Sequence, residues 1–524
     1  MRKTWSKGAV GVAVAGLAVT GVPSAASTEV ATPERQVTDI VPVPVQAHAD
    51  PDANFRLTSE TVIQAGDGTG DVAGYLRGLL QPATGYSFPV TSASAGGPAI
   101  SLELGQADPR VGTEGYQLAV TKSGVQLQAN TATGLFEGVQ SLRQLLPSEI
   151  EAKTVQDLEW TVAGGTVLDY PRFDRRGAML DLARHFFTPA QVKRYVDQIA
   201  QYKINTLHLH LSDDQGWRIE IKSWPRLATE GGKGAVNGDP GGYYTQDQYR
   251  DIVAYAASRH ITIVPEIDLP GHTNAAQATY AELNCDGVAV PPRTDTEVGY
   301  SSLCIGSPTT YRFVEDVLRE LAAITPGRYL GIGGDEAQST SDADYRKFYD
   351  RVSPLVAKYG KLITGWHEIV KTEPPSSAVP QYWGQGGADE DVAAAAARGT
   401  KILMSPANHA YLDMKYDAST PLGQDWAGLV EVRDAYDWDP ADLVPGVGEQ
   451  SVAGVEAPLW TETVRTSADI EYLAFPRLPG VAEIGWSPQA ARNWDGYRAR
   501  LAKQASRWQA QGIGFYRSPQ VDWP

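Results

Sequence analysis

Eight short apolar segments recur between residues 176 and 459, and charged, imidazole or aromatic side chains follow each of them. Each segment has the length and composition of a buried strand. The segments are Arg176–Leu182, Ile204–Leu211, Ile261–Ile267, Tyr329–Gly334, Lys361–Thr364, Val379–Tyr382, Lys401–Met404 and Val452–Leu459. Polar groups that collect at the C-terminal ends of successive strands are typical of the active site of a (β/α)₈ barrel.

Segments of helical periodicity separate these strands. Apolar residues recur there at three- and four-residue spacing, with charged residues between them. The helical segments are Pro189–Lys203, Thr245–His260, Thr309–Ile324, Ser341–Tyr359, Asp389–Arg398 and a long C-terminal stretch, Trp494–Gly512. Because strand and helix alternate as in βαβ units, the fold class predicted is α/β, a (β/α)₈ TIM barrel. A long insertion, 419–448, precedes the last strand, and long loops on this face are usually functional.

Two adjacent carboxylates, Asp335 and Glu336, follow the fourth strand-like segment. Consecutive strand residues point to opposite faces, so the two side chains cannot both lie in one core. At the open end of a strand they could approach a substrate from two directions, one as proton donor and the other as charge stabiliser. A solvated turn is the alternative, since Gly-Asp and Asp-Glu pairs are common in loops.

A separate module, residues 50–166, precedes the barrel, which we place at 167–524. Its predicted elements are a strand at Phe55–Gln64, a helix at Asp71–Leu80, a strand at Ala99–Gly105, a hairpin at Tyr116–Gln128 and a helix at Thr131–Leu146. Strands alternating with two helices predict a small α+β domain. No catalytic constellation occurs in it, so we interpret it as a packing domain for the barrel.

The first 26 residues have the features of a secretory signal peptide. Three positive side chains precede an apolar stretch, Gly8–Val22, and small residues at Ser24–Ala26 offer a cleavage site. A membrane anchor is the alternative, but the stretch is shorter than the ~20 residues that a span needs. We therefore expect a secreted protein, in which residues 27–49, rich in Pro, Val and Thr, form a linker.

Both cysteines of the chain, Cys285 and Cys304, lie in one loop between His272 and the helix that starts near Thr309. In an oxidising compartment a disulfide is the expected state, worth ~3 kcal/mol if it acts through chain entropy. Two free buried thiols are the alternative.

Charge and motif content exclude several function classes. The chain has 524 residues and a formal net charge of −17, which becomes −20 when residues 1–26, with three positive and no negative charges, are removed. Such an acidic protein binds nucleic acid and anionic membranes poorly. No Walker loop, dinucleotide fingerprint or zinc-finger spacing occurs in the sequence, and we predict no cofactor.

Tryptophan is the second strong signal. Of the 13 tryptophans, Trp366, Trp383, Trp426 and Trp460 fall at or beyond predicted strand ends. Flat aromatic rings stack on the C–H faces of pyranose rings, while carboxylates and arginine bind the hydroxyls. Aromatic walls with a few polar groups also describe small-molecule pockets in general, and plain core packing is the alternative for each tryptophan alone.

The chain resembles the β-N-acetylhexosaminidases of glycoside hydrolase family 20 over nearly its whole mature length. The motifs that carry the resemblance are Arg176–His185, His208–Arg218, Pro265–His272, Gly333–Glu336, Tyr382–Trp383 and Trp460–Glu462. The segments 284–300 and 420–448 align least securely.

The resemblance implies a retaining mechanism in which the substrate's own 2-acetamido oxygen attacks the anomeric carbon and forms an oxazolinium ion. Glu336 would protonate the glycosidic oxygen and later deprotonate water. Asp335 would orient the acetamido group and stabilise its developing positive nitrogen, and Tyr411 would donate a hydrogen bond to the acetamido oxygen. The substrate would be a terminal β-linked N-acetylhexosamine of an oligosaccharide or glycoconjugate.

The same resemblance implies which residues surround the sugar. Tryptophan side chains would wall the acetamido pocket and the ring, namely Trp366, Trp383 and Trp460. The hydroxyl-binding residues would be Arg184, Asp413 and Glu462, and Trp426 would flank the leaving group. Behind these, Asp213, Asp268 and His272 would set the protonation of Glu336 and Asp335.

Two rival functions remain open from the residues alone. A metal-dependent hydrolase could use His208 and His210, which alternate on one strand, together with Asp213, Asp268 and His272. The two histidines lie mid-strand, however, and the late strands add only His367 and His409. A non-catalytic sugar-binding barrel is the other reading, and the intact Asp335–Glu336 pair argues against it.

Overall fold

The computed structural model describes residues 35–92 and 96–524. The predicted signal peptide, residues 1–26, lies outside the described residues, as does the first part of the predicted linker. Within the described ranges, no helix is both long and apolar enough to cross a membrane.

A mixed sheet forms the core of the domain ahead of the barrel. Across the described residues its strands lie in the order Gln46–Ala49, Gly165–Asp169, Tyr116–Thr121, Gly124–Ala129, Ala99–Leu104, Val62–Ala65 and Val90–Thr91. Two helices, Gly70–Thr84 and Ala132–Gln144, pack against this sheet and bury Leu76, Leu80 and Leu135 in one apolar core with it. The predicted small α+β domain is therefore confirmed.

One strand of this domain is shorter than predicted. The segment Phe55–Gln64 is two strands, since Phe55–Arg56 pairs with Thr161–Val162 and Val62–Ala65 joins the main sheet. Between them, Thr58 N–H donates to Thr61 Oγ1 at 2.9 Å, and Thr61 N–H donates to the Thr58 carbonyl at 3.0 Å. Threonine side chains that bond the local backbone compete with strand pairing, and composition alone does not show this.

The linker predicted at 27–49 is wrong for its second part. Val37 and Ile40 are fully buried in the core of the small domain. Gln46–Ala49 forms an antiparallel strand paired with Gly165–Asp169, which also carries the domain past residue 166. Val37, Ile40 and Val41 of this Pro-rich stretch are fully buried, so this part is ordered although its composition is typical of a linker.

Eight parallel strands close into a barrel, which confirms the predicted fold class. In order around the barrel they are Arg175–Asp181, Thr206–His210, Thr262–Glu266, Tyr329–Gly331, Leu362–Trp366, Val379–Tyr382, Ile402–Met404 and Val452–Ala457. The first and last strands pair in parallel, Arg176 opposite Val455. Every predicted strand overlaps an observed one, so the polar residues that follow the strands share one end of the barrel.

Helices connect the strands as the periodicity predicts. The longer ones are Pro189–Ala200, Gln246–Ala257, Pro308–Ile324, Asp342–Lys358, Glu390–Ala397, Ser467–Ala474, Leu478–Trp486, Trp494–Ala502 and Ala505–Gln511. The C-terminal stretch predicted as one helix is thus two. Neither Pro nor Gly marks the break at Lys503–Gln504. Gln504 is buried there, and its side chain bonds Tyr202 and Gln144, so tertiary contacts set the break.

The small domain and the barrel are joined through buried polar contacts. Arg507 of the last helix donates to Glu151 of the small domain at 2.5 Å. Along the N-terminal segment, Val41 N–H donates to Gln144 of the small domain at 2.9 Å, and Val43 N–H donates to Glu483 of the barrel at 2.8 Å. A single stretch of backbone is therefore bound by side chains of both domains.

The disulfide predicted between Cys285 and Cys304 is present, with Cα atoms 4.9 Å apart and a separation of 19 residues. The loop that the disulfide closes lies beside the segment that follows Asp335 and Glu336. Ser301 Oγ donates to Asp214 at 2.6 Å, and Ser339 Oγ donates to the Gly299 carbonyl at 2.6 Å. The bridge therefore tethers a wall of the barrel mouth.

Removing the bridge should lower stability without abolishing the fold. For a loop of this length, Cys285→Ser/Cys304→Ser should lose ~3 kcal/mol of unfolding free energy because the unfolded chain regains entropy. Calorimetry of oxidised wild type and the variant would measure the loss. Wild type treated with a reductant should match the variant, and equal melting temperatures for oxidised wild type and variant would contradict the prediction.

Candidate active site

The two adjacent carboxylates stand on a turn that only glycine can make. After the strand Tyr329–Gly331, Gly333 and Gly334 have φ values of +61° and +106°. A Cβ on Gly333 would lie 1.6 Å from Asp268 Oδ1, so no other residue fits. This turn buries Asp335 and leaves 28% of the Glu336 side chain exposed.

Asp335 and Asp268 are two buried carboxyls whose pKa values are both raised. Asp268 Oδ1 accepts from Gly334 N–H at 3.1 Å, and its carboxyl interacts directly with that of Asp335. Burial raises the pKa of Asp268 to about 8, and burial together with the charge of Asp268 raises the pKa of Asp335 well above its usual range. Two facing carboxyls cannot both ionise cheaply, so the pair shares one proton near neutral pH.

His272 links the two catalytic carboxylates to the barrel interior. Its Nδ1 lies 3.1 Å from Asp213 Oδ1, and its Nε2 lies 3.4 Å from Glu336 Oε2 and 3.7 Å from Asp335 Oδ2. Burial would lower the pKa of His272, but the charge of Asp213 and then that of Asp335 outweigh it and raise the pKa well above 6.5. His272 is therefore an imidazolium that can donate from both nitrogens.

A column of alternating charges continues from Asp213 down the barrel axis. Asp213 Oδ2 binds Arg184 Nη2 at 2.9 Å and His210 Nε2 at 2.8 Å. His210 Nδ1 lies 2.7 Å from Glu266 Oε1, and His208 Nε2 lies 2.7 Å from Glu266 Oε2. Each carboxylate thus stands between cations, which offsets the cost of burying it.

The column ends at Glu456 near the middle of the barrel. His208 Nδ1 lies 2.8 Å from Glu456 Oε1, and Arg175 Nη2 lies 2.9 Å from Glu456 Oε2. Burial would lower the pKa of His208, but Glu266 and Glu456 outweigh it and raise the pKa to about 9. Burial would raise the pKa of Glu456, but Arg175 and His208 lower it to about 2. We refer to Glu456, His208, Glu266, His210, Asp213 and His272 as the charge column.

The charges of His210 and His272 also matter for the alternative that this site binds a metal ion. Among the described residues, three groups of side chains could surround an ion by distance: His210, Glu266 and Asp268; Asp213, Asp268 and His272; and His272, Asp335 and Glu336. Each group contains His210 or His272. Burial would lower the pKa of His210, but hydrogen bonds to Asp213 and Glu266 raise it to about 10. An imidazolium has no lone pair for a metal, so an ion at any of these groups would have to displace a proton from His210 or His272.

Aromatic rings line the barrel mouth beside the carboxylates. Trp366 and Trp460 are buried, with ring centroids 5.4 Å apart. Trp426 is 50% exposed and meets Trp383 and Tyr411 edge-on, with centroids 5.9 Å apart in both pairs. The structure thus brings all the aromatic residues of the predicted site into one cluster, with the most exposed ring at the rim.

Polar side chains close the opposite side of this cluster. The Arg184 guanidinium lies over the Trp460 ring at 4.8 Å, with Nη1 3.8 Å from Glu462 Oε1. Asp413 Oδ2 and Glu462 Oε2 are buried, with no hydrogen-bond partner in the described part of the chain. Burial raises the pKa of Asp413 well above its usual range and raises that of Glu462. These oxygens are free to accept from hydroxyl groups of a ligand.

Profile comparison matches the barrel to "Glycosyl hydrolase family 20, catalytic domain" at residues 173–345 and 339–489, and the small domain to "Glycosyl hydrolase family 20, domain 2" at 37–170. The chain belongs to glycosyl hydrolase family 20. It is a β-N-acetylhexosaminidase, a glycoside hydrolase. The beta-N-acetylhexosaminidase of Cellulomonas fimi is 41% identical over 488 residues, 93% of this chain and 97% of the relative.

Solved structures of this family have the same fold as this chain. The GH20 beta-N-acetylhexosaminidase of Streptomyces coelicolor A3(2) superposes with a TM-score of 0.90 at 54% identity, over 94% of this chain and 99% of that one. The Streptomyces plicatus enzyme, solved with Thio-NAglucal, gives 0.90 at 55% identity over 94% and 98%. A mutant of that enzyme was solved with product, GlcNAc.

The sequence predicted the site residues of this family 20 enzyme at the C-terminal ends of the barrel strands. It did not predict two residues that stabilise the charge column beneath them. These two residues are Arg175 and Glu456. Each lies within a barrel strand and not at its C-terminal end, where the sequence predicts the site. One signal could have found Glu456. A glutamate inside the apolar run Val452–Ala457 needs a buried cation, and the inward histidines of Thr206–His210 supply one.

The charge column should make the stability of this enzyme depend on pH at both ends. The His208 and His210 contribution is complete below the ordinary histidine pKa of 6.5 and is lost as pH rises through about 9 and 10. The Glu456 contribution is complete above 4.5 and is lost as pH falls toward about 2. Melting temperature should therefore be highest between these limits, with up to roughly 3 kcal/mol lost on the alkaline side for His208 alone.

Glu456→Gln provides the matched control for that profile. His208 then loses one of its two carboxylate partners, so its pKa rises less and the alkaline fall in melting temperature should flatten. Differential scanning calorimetry from pH 4 to 10 on both proteins would measure the two slopes. Parallel alkaline slopes would show that the column does not carry this dependence.

Proposed function

We propose that this enzyme removes terminal, non-reducing β-linked N-acetylhexosamine residues with retention, using the substrate's 2-acetamido oxygen as nucleophile. A classical retaining mechanism would need a protein carboxylate as nucleophile, and the strand-end candidates are Asp213, Glu266 and Asp268. The observation that carries the mechanism is that neighbouring groups already bind all three. Asp213 is held by Arg184, His210 and His272, and Glu266 by two imidazoles. Asp268 accepts from Gly334 N–H at 3.1 Å, and burial raises its pKa to about 8, which favours its protonated, non-nucleophilic form. None of the three is free to form a glycosyl ester.

The adjacent carboxylates suit two different roles. Glu336 is partly exposed and stands 3.4 Å from the positive His272, so it can give a proton to a leaving oxygen and recover one from water. Asp335 is buried beside the aromatic cluster and can become anionic when the proton of the pair moves to Asp268. A positive charge that develops on the acetamido nitrogen would then face a carboxylate in a dry site.

The remaining residues of the cluster would hold the sugar. Tyr411 lies edge-on to Trp426 near Asp335 and would donate to the acetamido oxygen. The rings of Trp366, Trp383 and Trp460 would pack on the acetamido group and the pyranose face. Hydroxyls would meet Arg184, Asp413 and Glu462, which close the mouth and favour a chain end over an internal unit. Trp426, at the rim, would stack on the leaving group.

The ligands of a relative support the substrate class. The Streptomyces plicatus enzyme was solved with GlcNAc as product, and at 55% identity it offers a close template for this mouth. We therefore propose N-acetylhexosamine-containing oligosaccharides or glycoconjugates as substrates. Nucleic acid and membranes are not proposed as partners, in keeping with the acidic net charge of −17.

Replacing the proton donor should affect substrates according to their leaving groups. Glu336→Gln should lose ~10²–10⁴-fold in kcat/KM on chitobiose, whose leaving alcohol needs a proton. A dinitrophenyl N-acetylglucosaminide releases dinitrophenolate, which leaves without a proton. The rate of its glycosylation step should therefore fall far less. Steady-state kinetics on both substrates would measure this. Equal losses on the two would contradict the acid role of Glu336.

The nucleophile can be tested through the substrate. The matching glucoside, with a 2-hydroxyl in place of the acetamido group, should be hydrolysed negligibly. A thiazoline that mimics the oxazolinium ion should inhibit competitively, because it places the cyclised group against Asp335 and Tyr411. Efficient glucoside hydrolysis, or a glycosyl ester trapped on Asp213, Glu266 or Asp268, would reject substrate assistance.

The two rival functions have direct tests. Full activity after exhaustive treatment with a chelator is expected here, while loss of activity restored by a divalent ion would favour the metal-dependent hydrolase. Turnover of a chromogenic N-acetylglucosaminide is expected, and binding without turnover would favour the sugar-binding barrel.

We also propose that the protein is secreted, on the basis of the charged and apolar pattern of residues 1–26. The mass of protein recovered from culture medium should then lack that segment. Recovery of full-length protein from the cell fraction alone would contradict secretion.

A further inference from the structure

Trp383 is the only ring of the aromatic cluster, in the described residues, whose indole nitrogen donates to a carboxylate. Its Nε1–H donates to Glu368 Oε2 at 3.1 Å. Trp383 is half-buried at the rim and follows the strand Val379–Tyr382, while Glu368 follows the neighbouring strand. A side chain from one strand end therefore holds the aromatic wall that follows the next.

Glu368 is itself positioned by the chain around it. Glu368 is the second residue after the buried wall residue Trp366, and it lies in the first turn of the 3-10 helix His367–Thr372. The His367 imidazole lies between two carboxylates, with Nδ1 3.7 Å from Glu368 Oε2 and Nε2 3.7 Å from Asp389 Oδ2. The His367 ring also packs on Tyr382, centroids 5.1 Å apart. Glu368 therefore points at Trp383 from a defined position.

The orientation of Trp383 matters for a second ring. Trp383 and Trp426 meet at 77° with centroids 5.9 Å apart, and Trp426 is half exposed on the insertion 419–448. A half-buried indole has two rotatable side-chain bonds, and a hydrogen bond from its nitrogen favours one orientation over the others. Rotation of Trp383 would remove one of the two rings, Trp383 and Tyr411, that Trp426 contacts.

We propose that Glu368 is a positioning residue that fixes the indole of Trp383 and, through the edge contact, the pose of Trp426 on the leaving-group side. It acts as a hydrogen-bond acceptor and does not touch the reacting atoms. This inference rests on the proposed function, since it assigns Trp383 and Trp426 to sugar binding. It predicts an effect on KM and on preference among leaving groups, with little effect on chemistry.

Two substitutions separate acceptor from charge. Glu368→Gln keeps an oxygen that can accept from the indole, whereas Glu368→Leu removes the acceptor at similar length. We expect Glu368→Leu to raise KM for chitobiose about tenfold while kcat changes less than about threefold, and Glu368→Gln to stay within about twofold of wild type. Glu390→Leu, an exposed glutamate on the next helix, is the control for a lost surface charge. A kcat loss in Glu368→Leu with KM unchanged would overturn the proposal.

A double-mutant cycle shows whether Glu368 works through Trp383. In a Trp383→Phe background the donor is absent, so adding Glu368→Leu should change KM by less than about twofold. A full tenfold effect in that background would mean that Glu368 acts by another route, and the proposal would fall.

A readout without activity keeps this inference distinct from the proposed function. In a ¹⁵N-tryptophan spectrum, the Nε1–H resonance missing from Trp383→Phe belongs to Trp383. That resonance should shift in Glu368→Leu and stay near its wild-type position in Glu368→Gln. An unshifted resonance in Glu368→Leu would overturn the hydrogen bond. No turnover of any N-acetylglucosaminide alongside the expected shifts would reject the proposed function alone.

Discussion

The barrel interior depends on the matching of each buried carboxylate with a cation or a shared proton. An isolated carboxylate in an apolar core costs several kcal/mol, so Glu456, Glu266 and Asp213 are tolerable only because an imidazolium or a guanidinium contacts each of them. The arrangement also works in the other direction. His208 and His210 keep their protons because carboxylates stand on both sides of each ring. Removing any one member would take one charged partner from each of its neighbours.

This column also explains how one site holds two adjacent carboxylates in different surroundings. Asp213 stabilises the positive charge of His272 at Nδ1, and the opposite nitrogen, Nε2, faces the turn that carries Asp335 and Glu336. Glu336 faces that cation at the rim, whereas Asp335 faces another carboxyl in the interior. The difference follows from the positive-φ turn at Gly333 and Gly334, which sends neighbouring side chains into unlike surroundings.

Much of this architecture could be predicted from the sequence, because strands of a parallel barrel are apolar runs with polar residues at one end. The barrel strands and the residues at the mouth followed from that pattern and from the family motifs, and the disulfide from two cysteines close in sequence in a chain expected to be exported. Features that tertiary contacts decide did not. The C-terminal helix breaks at Gln504 because the small domain and Tyr202 bind its side chain. Glu368 is unremarkable in sequence, since its partner comes from another strand.

The stretch from Val41 to Val43, bound on one side by Gln144 and on the other by Glu483, bears on how the molecule unfolds. Unfolding of either domain therefore removes one of these two donor–acceptor pairs, and the buried Arg507–Glu151 contact crosses the same boundary. Neither part can lose its structure while the other keeps a complete set of partners. The two domains should therefore behave as one cooperative unit, and a truncation that starts at the small-domain sheet would expose surfaces of both.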